Sequence, residues 1–157
     1  MATRAWASLS PGLRDRLIAG FLGLPSWVVL GVAGWLEADP VGHGTHKQLG
    51  LGTCTILALT GWPCPMCGMT TTFTHMAHGS PVDALLTQPF GVVLFLLTLA
   101  AGTLAVVELA RPRQRFLRIW RWIESRETAV AAGLMLGLLL GWIYKLAEMG
   151  AGPFAGG

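Results

Sequence analysis

Three long stretches of this chain carry no charged side chain, and they constrain the fold more than any other feature. Leu17–Leu36 is uncharged over twenty residues, Ala84–Val107 over twenty-four and Thr128–Tyr144 over seventeen. A helix rises about 1.5 Å per residue, so twenty apolar residues cover the roughly 30 Å hydrocarbon core of a bilayer. Charged residues make up 12% of the 157, against about 25% in soluble domains. So much apolar surface excludes disorder, and glycines without a three-residue period exclude a collagen-like chain. The expected fold is an all-α membrane protein, a single membrane domain over 1–157. Its transmembrane helices fall at about 17–36, 89–108 and 128–145, with short outward-side helices between the first two and an amphipathic interfacial helix between the last two. The first run follows Arg14 and Arg16 as a signal peptide would, but it carries Pro25, Trp27 and Trp35 and lacks a small-x-small cleavage site, so it reads as an uncleaved anchor. Thr53–Thr60 is apolar but too short to cross, and reads as an interfacial, re-entrant or buried segment.

The arginines set an orientation. Arg4, Arg14 and Arg16 precede the first span, and Arg111, Arg113, Arg115, Arg118, Arg121 and Arg126 lie between the second and third; the opposite side holds only Lys47 and Lys145. Positive residues collect on the cytoplasmic face. The N-terminus and the basic loop 111–127 are therefore expected in the cytoplasm, and segment 37–88 and the C-terminus outside. A net charge of +3 would suit nucleic acid, but Phe116, Ile119, Trp120 and Ile123 alternate at helical spacing with Arg115, Arg118 and Arg121. That pattern describes a helix on an anionic membrane surface, so the expected partner is the lipid bilayer and not nucleic acid. Gly133, Gly137 and Gly141 share one helix face, which permits close packing within the chain or association with another membrane protein or a second copy. No span has an ionisable residue at its centre, so a proton relay lacks its usual carrier. Glu108, at the end of the second span, is expected to snorkel toward Arg111.

All three cysteines lie in the outward segment, around Gly61-Trp62-Pro63-Cys64-Pro65-Met66-Cys67-Gly68-Met69-Thr70. A Cys-x-x-Cys ahead of a helix suits thiol chemistry, because helix N-terminal amides stabilise a thiolate. Pro63 and Pro65 stiffen the approach, Gly68 permits a sharp turn, and a short helix is expected over Met69–His78. Ser80-Pro81-Val82-Asp83 reads as the capped start of another. Three readings are open: a structural turn or disulfide, a redox-active Cys64/Cys67 pair with Cys54 left over, and a metal site. For the last, Cys54, Cys64, Cys67, His75 and His78, with Met66, Met69 and Met76, form a soft donor set suited to zinc or copper. His43 and His46 read as part of a solvated loop.

The run from Gly61 to Thr70 resembles the signature of a family of small bacterial inner-membrane proteins of unknown function. That family's hallmark is proline-cysteine-proline-x-cysteine-glycine-x-threonine-arginine, followed by a short helix and an asparagine-proline at the mouth of a long apolar span. Pro63, Cys64, Pro65, Cys67, Gly68 and Thr70 match the run; Gly79 and Pro89 are similar to the later landmarks, and Cys54 to an upstream cysteine. Thr71 stands where the family has arginine and Gln88 where it has asparagine. The resemblance covers about residues 43–107 and implies a membrane protein without supplying a mechanism.

Two functions fit these residues. One is a structural or accessory membrane component with an outward Cys-Pro-x-Cys turn, stabilised by a disulfide or a metal or by neither. The other is a membrane thiol–disulfide oxidoreductase using Cys64 and Cys67, although only one such pair is present. The outward carboxylates Glu37, Asp39, Asp83 and Glu148 form no acid–base constellation, which inclines the reading away from an enzyme.

Overall fold

The protein is described from a computed structural model covering residues 10–52 and 54–150. Arg4 of the basic flank and Thr53 of the fourth apolar stretch lie outside those residues. The described chain is all helix, turn and loop, without a strand. Three helices are long and apolar enough to cross a membrane: α1 (Pro11–Trp35), α5 (Pro89–Ala110) and α7 (Glu127–Glu148). Between α1 and α5 lie a 3-10 turn (Thr45–Leu49), α2 (Thr55–Thr60), α3 (Met69–Ala77) and α4 (Pro81–Thr87); α6 (Arg115–Glu124) joins α5 to α7. The fourth apolar stretch is thus a six-residue helix, α2, with Ile56 and Leu59 exposed.

α1 begins six residues ahead of the uncharged run because its start is capped. The Ser10 hydroxyl accepts the Leu13 N–H at 3.4 Å and Pro11 occupies the first turn, where its missing N–H costs nothing. Arg14, Asp15 and Arg16 are therefore helical. Small residues let α1 approach α5 closely: Gly23 lies against Ala105, with Ala19 and Ala33 buried nearby on α1, as expected where packing rather than water drives association. The Trp27 indole donates to the Gly102 carbonyl at 3.1 Å across the same contact.

The uncharged run Ala84–Val107 is broken at Gln88-Pro89. A proline disfavours helical geometry in its predecessor, and Gln88 is extended at φ −162°, ψ 98°. α4 stops there and α5 starts with proline in its first turn. Ser80 precedes α4 without making a side-chain cap bond.

The arginine-bearing end is tied by buried carboxylates. Glu108 accepts the N–H groups of Arg113 at 2.6 Å and Arg115 at 3.3 Å, and pairs with the Arg115 guanidinium at 2.8 Å. Its partner is thus Arg115 and not Arg111. The turn before α6 folds back over Glu108, so the carboxylate stays buried instead of reaching outward. Asp15 accepts the Gln114 N–H at 3.2 Å. That bond helps hold Gln114 at φ 56°, in the left-handed region that non-glycine residues rarely adopt. Ile119, Trp120 and Ile123 of α6 face a crevice shared with Ile18 and Leu22 of α1.

α7 meets α5 at one end only. Gly141 lies against Gln88 and Phe90, Gly137 lies against Phe90, and Gly133 has no neighbour within 4 Å. Large apolar side chains stay exposed along all three long helices, among them Phe21, Leu24, Leu96, Val106, Met135 and Leu140. A contiguous surface of that kind is unfavourable in water and is accepted by acyl chains. The environment of this fold is a lipid bilayer.

Candidate functional site

The end opposite the arginines carries a cavity of about 470 Å³ whose lining includes Cys54, Cys64, Cys67, His43, His46 and Lys47. Local sequence builds its wall. Gly50 and Gly61, both in the left-handed region, end the 3-10 turn and α2; Cys54 stands immediately before α2. The chain then runs through Pro63 into a tight turn, with the Cys67 N–H donating to the Cys64 carbonyl at 2.9 Å. Pro65 and the exposed Met66 occupy the middle of that turn. Gly68 closes it at φ 84°; a Cβ there would lie 2.9 Å from the Gly42 carbonyl oxygen, so both the turn and the close approach require glycine. α3 follows from Met69, and the Thr74 hydroxyl donates back to the Thr70 carbonyl at 3.0 Å.

The three cysteines are free thiols of unequal acidity. Cys54 is lowered below the ordinary thiol value, first by the Leu57 amide and against some burial, with the neighbouring Cys64 thiol adding to the effect. Cys64 is raised by burial and by giving its proton toward Cys54. Cys67 is pushed up to about 11 by burial, with the Cys64 charge acting in the same direction and Lys145 opposing it. Cys54, ten residues upstream, lines the same cavity as Cys64 and bears on its acidity; Cys67 is a buried third sulfur.

The remaining candidates separate. His78 leaves the cysteines: its Nε2 meets the Gly34 carbonyl at 3.0 Å. His75 lines a different hollow, with Asp39, Asp83 and Glu148. Among the described residues no three of the His, Cys, Asp and Glu side chains gather as a metal-holding set. His43 and His46 are the histidines at the cysteine cavity. The His43 Nδ1 lies 3.1 Å from the Val41 carbonyl; a carbonyl only accepts, so Nδ1 is the donor in this contact. Thr71 is buried and shares a 2.9 Å hydrogen bond with Thr45, whose hydroxyl also accepts the Asp39 N–H at 2.9 Å.

The support beneath the cavity comes from α7. Trp142 donates its indole N–H to the Pro63 carbonyl at 2.8 Å, and the Tyr144 hydroxyl donates to the Leu86 carbonyl at 2.6 Å. The fully buried Lys145 donates to the Thr87 carbonyl at 3.2 Å and the Gly42 carbonyl at 3.5 Å, and pairs with Glu148 at 2.5 Å. Three side chains of α7 thus hold four backbone carbonyls, those of Gly42 and Pro63 in loops and those of Leu86 and Thr87 at the end of α4, where buried carbonyls need a partner. Beside them, both amide atoms of the buried Gln88 side chain lack a hydrogen-bond partner. No local pattern marks Lys145 as part of this site; its only sequence signal is a lysine ending an otherwise uncharged span.

Fold and site define a multi-pass membrane protein with a three-thiol cavity at one end of its helices. Residues 54–102 match the family model described as Protein of unknown function (DUF2752). The matched stretch begins at Cys54, contains all three cysteines, α2, α3 and α4, and ends within α5; α1 and α7 lie outside it. Neither a curated protein nor a solved structure matches the chain.

Proposed function

We propose that this is a protein of the bacterial inner membrane that oxidises thiols through Cys54 and Cys64. In this reading, the start of α1 and the loop 111–127 face the cytoplasm, and residues 37–88 and the chain beyond α7 face outward. The arginine asymmetry supports the orientation, and the oxidising outer compartment suits a cysteine pair. The observation that carries the chemistry is that two free thiols, Cys54 and Cys64, line one cavity, and the lowered pKa of Cys54 agrees with it. A thiolate stabilised in the reduced form makes the corresponding disulfide a stronger oxidant, and a low-pKa sulfur is the better leaving group.

The steps balance as follows. A substrate thiolate attacks the Cys64 sulfur of a Cys54–Cys64 disulfide, and Cys54 leaves as thiolate. The second substrate thiol loses its proton and attacks the substrate sulfur of the mixed disulfide, closing the substrate disulfide. Cys64 leaves and takes up a proton. The substrate loses two electrons and the protein pair gains them. Cys67, protonated and buried, stays outside the exchange.

The test is intact-mass analysis of detergent-purified protein with differential alkylation, after incubation with a dithiol peptide, with zinc and copper quantified on the same sample. Cys54 should alkylate first at pH 8 and Cys67 last. Cys54→Ser and Cys64→Ser should each abolish peptide oxidation, whereas Cys67→Ser should retain it. A metal-stabilised turn would instead give stoichiometric metal and blocked thiols. A purely structural cross-link would lower the melting temperature of both variants without any exchange in the parent. Either result overturns the proposal.

A further inference from the structure

The amphipathic helix α6 lies over space that the protein does not fill. It is rich in large apolar side chains, yet none of its residues is buried. Phe116, Leu117, Trp120 and Ile123 of α6, with Ile18 and Leu22 of α1, border a crevice of about 340 Å³. Ile18 and Leu22 also border a second hollow, with Leu17 and Phe21. An apolar track therefore runs from beneath α6 along α1, and Trp120, Leu22 and Phe21 are exposed along it. Protein interiors close such gaps with side chains; here the gap is left open to a chain of methylenes.

Cations stand at the edge of this track. Arg14, Ile18 and Leu22 are four residues apart on α1, so they share one helix face, with Arg14 about 6 Å nearer the helix start than Ile18. On α6, Arg121 follows Leu117 by four positions and borders the crevice in the same way. Among the described residues neither Arg14 nor Arg121 pairs with a carboxylate, and the buried Glu108 is taken by Arg115. Asp15 is buried and accepts an amide. Segments 14–16 and 108–127 hold eight arginines against the four carboxylates Asp15, Glu108, Glu124 and Glu127.

We propose that the crevice between α1 and α6 binds one phospholipid of net negative charge, an acyl chain in the apolar track and the phosphate at Arg14 and Arg121. The chemistry selects the occupant. Methylenes match the track, and guanidinium groups without carboxylate partners attract phosphate oxygens. A zwitterionic lipid fills the track but does not answer the excess of positive charge. A second copy of the chain would bring the same positive charge to this end, which repels it. The bound lipid completes the contact by which α6 is seated on α1.

The experiment uses the full chain in detergent, native mass spectrometry, and phosphatidylglycerol or phosphatidylcholine with identical acyl chains. Glycerol phosphate, a headgroup without a tail, is the competitor. The parent should retain one phosphatidylglycerol per chain, bind phosphatidylcholine about tenfold less, and lose no lipid to glycerol phosphate. Arg14→Gln with Arg121→Gln should bring phosphatidylglycerol down to the phosphatidylcholine level. Leu22→Trp, which fills the track, should weaken both lipids by about tenfold; Ile18→Phe is the milder plug should Leu22→Trp fail to fold. Equal retention of the two lipids by the parent overturns the proposal, as does displacement by glycerol phosphate or a plugged variant with parental retention. A parent that runs as a lipid-free dimer overturns it in favour of a second copy.

Discussion

The two ends of the helix bundle solve the same problem with opposite chemistry. At the arginine end, buried carboxylates collect backbone N–H groups: Glu108 takes those of Arg113 and Arg115, and Asp15 takes that of Gln114. At the cysteine end, side-chain donors collect backbone carbonyls: Trp142 takes Pro63, Tyr144 takes Leu86, and Lys145 takes Thr87 and Gly42. Each end contains loop backbone without regular partners, and each unsatisfied group in a low-dielectric setting costs about 1–3 kcal/mol. The difference lies in what is held. Anions fix the turn that leads into the arginine-bearing α6, whereas donors fix a turn that presents sulfur. A cation under the sulfur end also favours thiolates, which a carboxylate in the same place would oppose.

The strongest way to break that comparison is to remove the lysine. Lys145→Met keeps the length of the side chain but leaves the Thr87 and Gly42 carbonyls unpaired, so roughly 2–3 kcal/mol of charge-assisted bonding is lost. The melting temperature in detergent should fall by roughly 5–10 °C. Lys145→Arg should recover only part of this, because a planar guanidinium does not fit an ammonium's site. If Lys145→Met melts with the parent, the cysteine end is not held as described.

A smaller effect is expected at the other end. Glu108→Gln preserves shape and loses the charge that pairs Arg115 and receives two amides, for about 1–2 kcal/mol. Trypsin should then cut the Arg111–Arg126 segment faster, while alkylation of Cys54 stays unchanged. A change in thiol reactivity would show that the two ends are coupled rather than independent.

The effect that is smallest at neutral pH, and appears only in alkali, sharpens the thiol end alone. Burial pushes the Cys67 thiol up to about 11 in the folded protein, from about 8.5 in an unfolded chain. Between those values the unfolded chain has lost a proton that the folded chain keeps, so stability is complete below about pH 8.5 and declines as pH rises toward 11. Cys64, also raised, acts in the same direction, and Cys54, lowered, acts against it. Thermal melts across this window should show a decline that Cys67→Ala makes shallower. An unchanged slope in that variant removes the basis for treating Cys67 as a buried, protonated sulfur.

Features that depend on neighbours along the chain were legible in the residues alone. Uncharged length gave the three spans and the 3.6-residue rhythm of Phe116–Ile123 matched α6, whereas the cap expected at Ser80 makes no side-chain bond and the cap at Ser10 went unread. The cavity was only partly legible, since Cys64, Cys67 and Gly68 advertise a turn through local spacing. The tertiary structure decided which sulfur meets which, which histidines share their cavity and where the buried lysine goes. Cys54 and Cys64 line one cavity although ten residues separate them. His43 and His46, rather than His75 and His78, line the cavity because α3 directs the latter pair elsewhere. Lys145 lies 58 residues after one of the carbonyls it holds and 103 after the other. Such meetings follow from the packing of helix faces, and that packing is set by shape across the whole molecule rather than by any period within it.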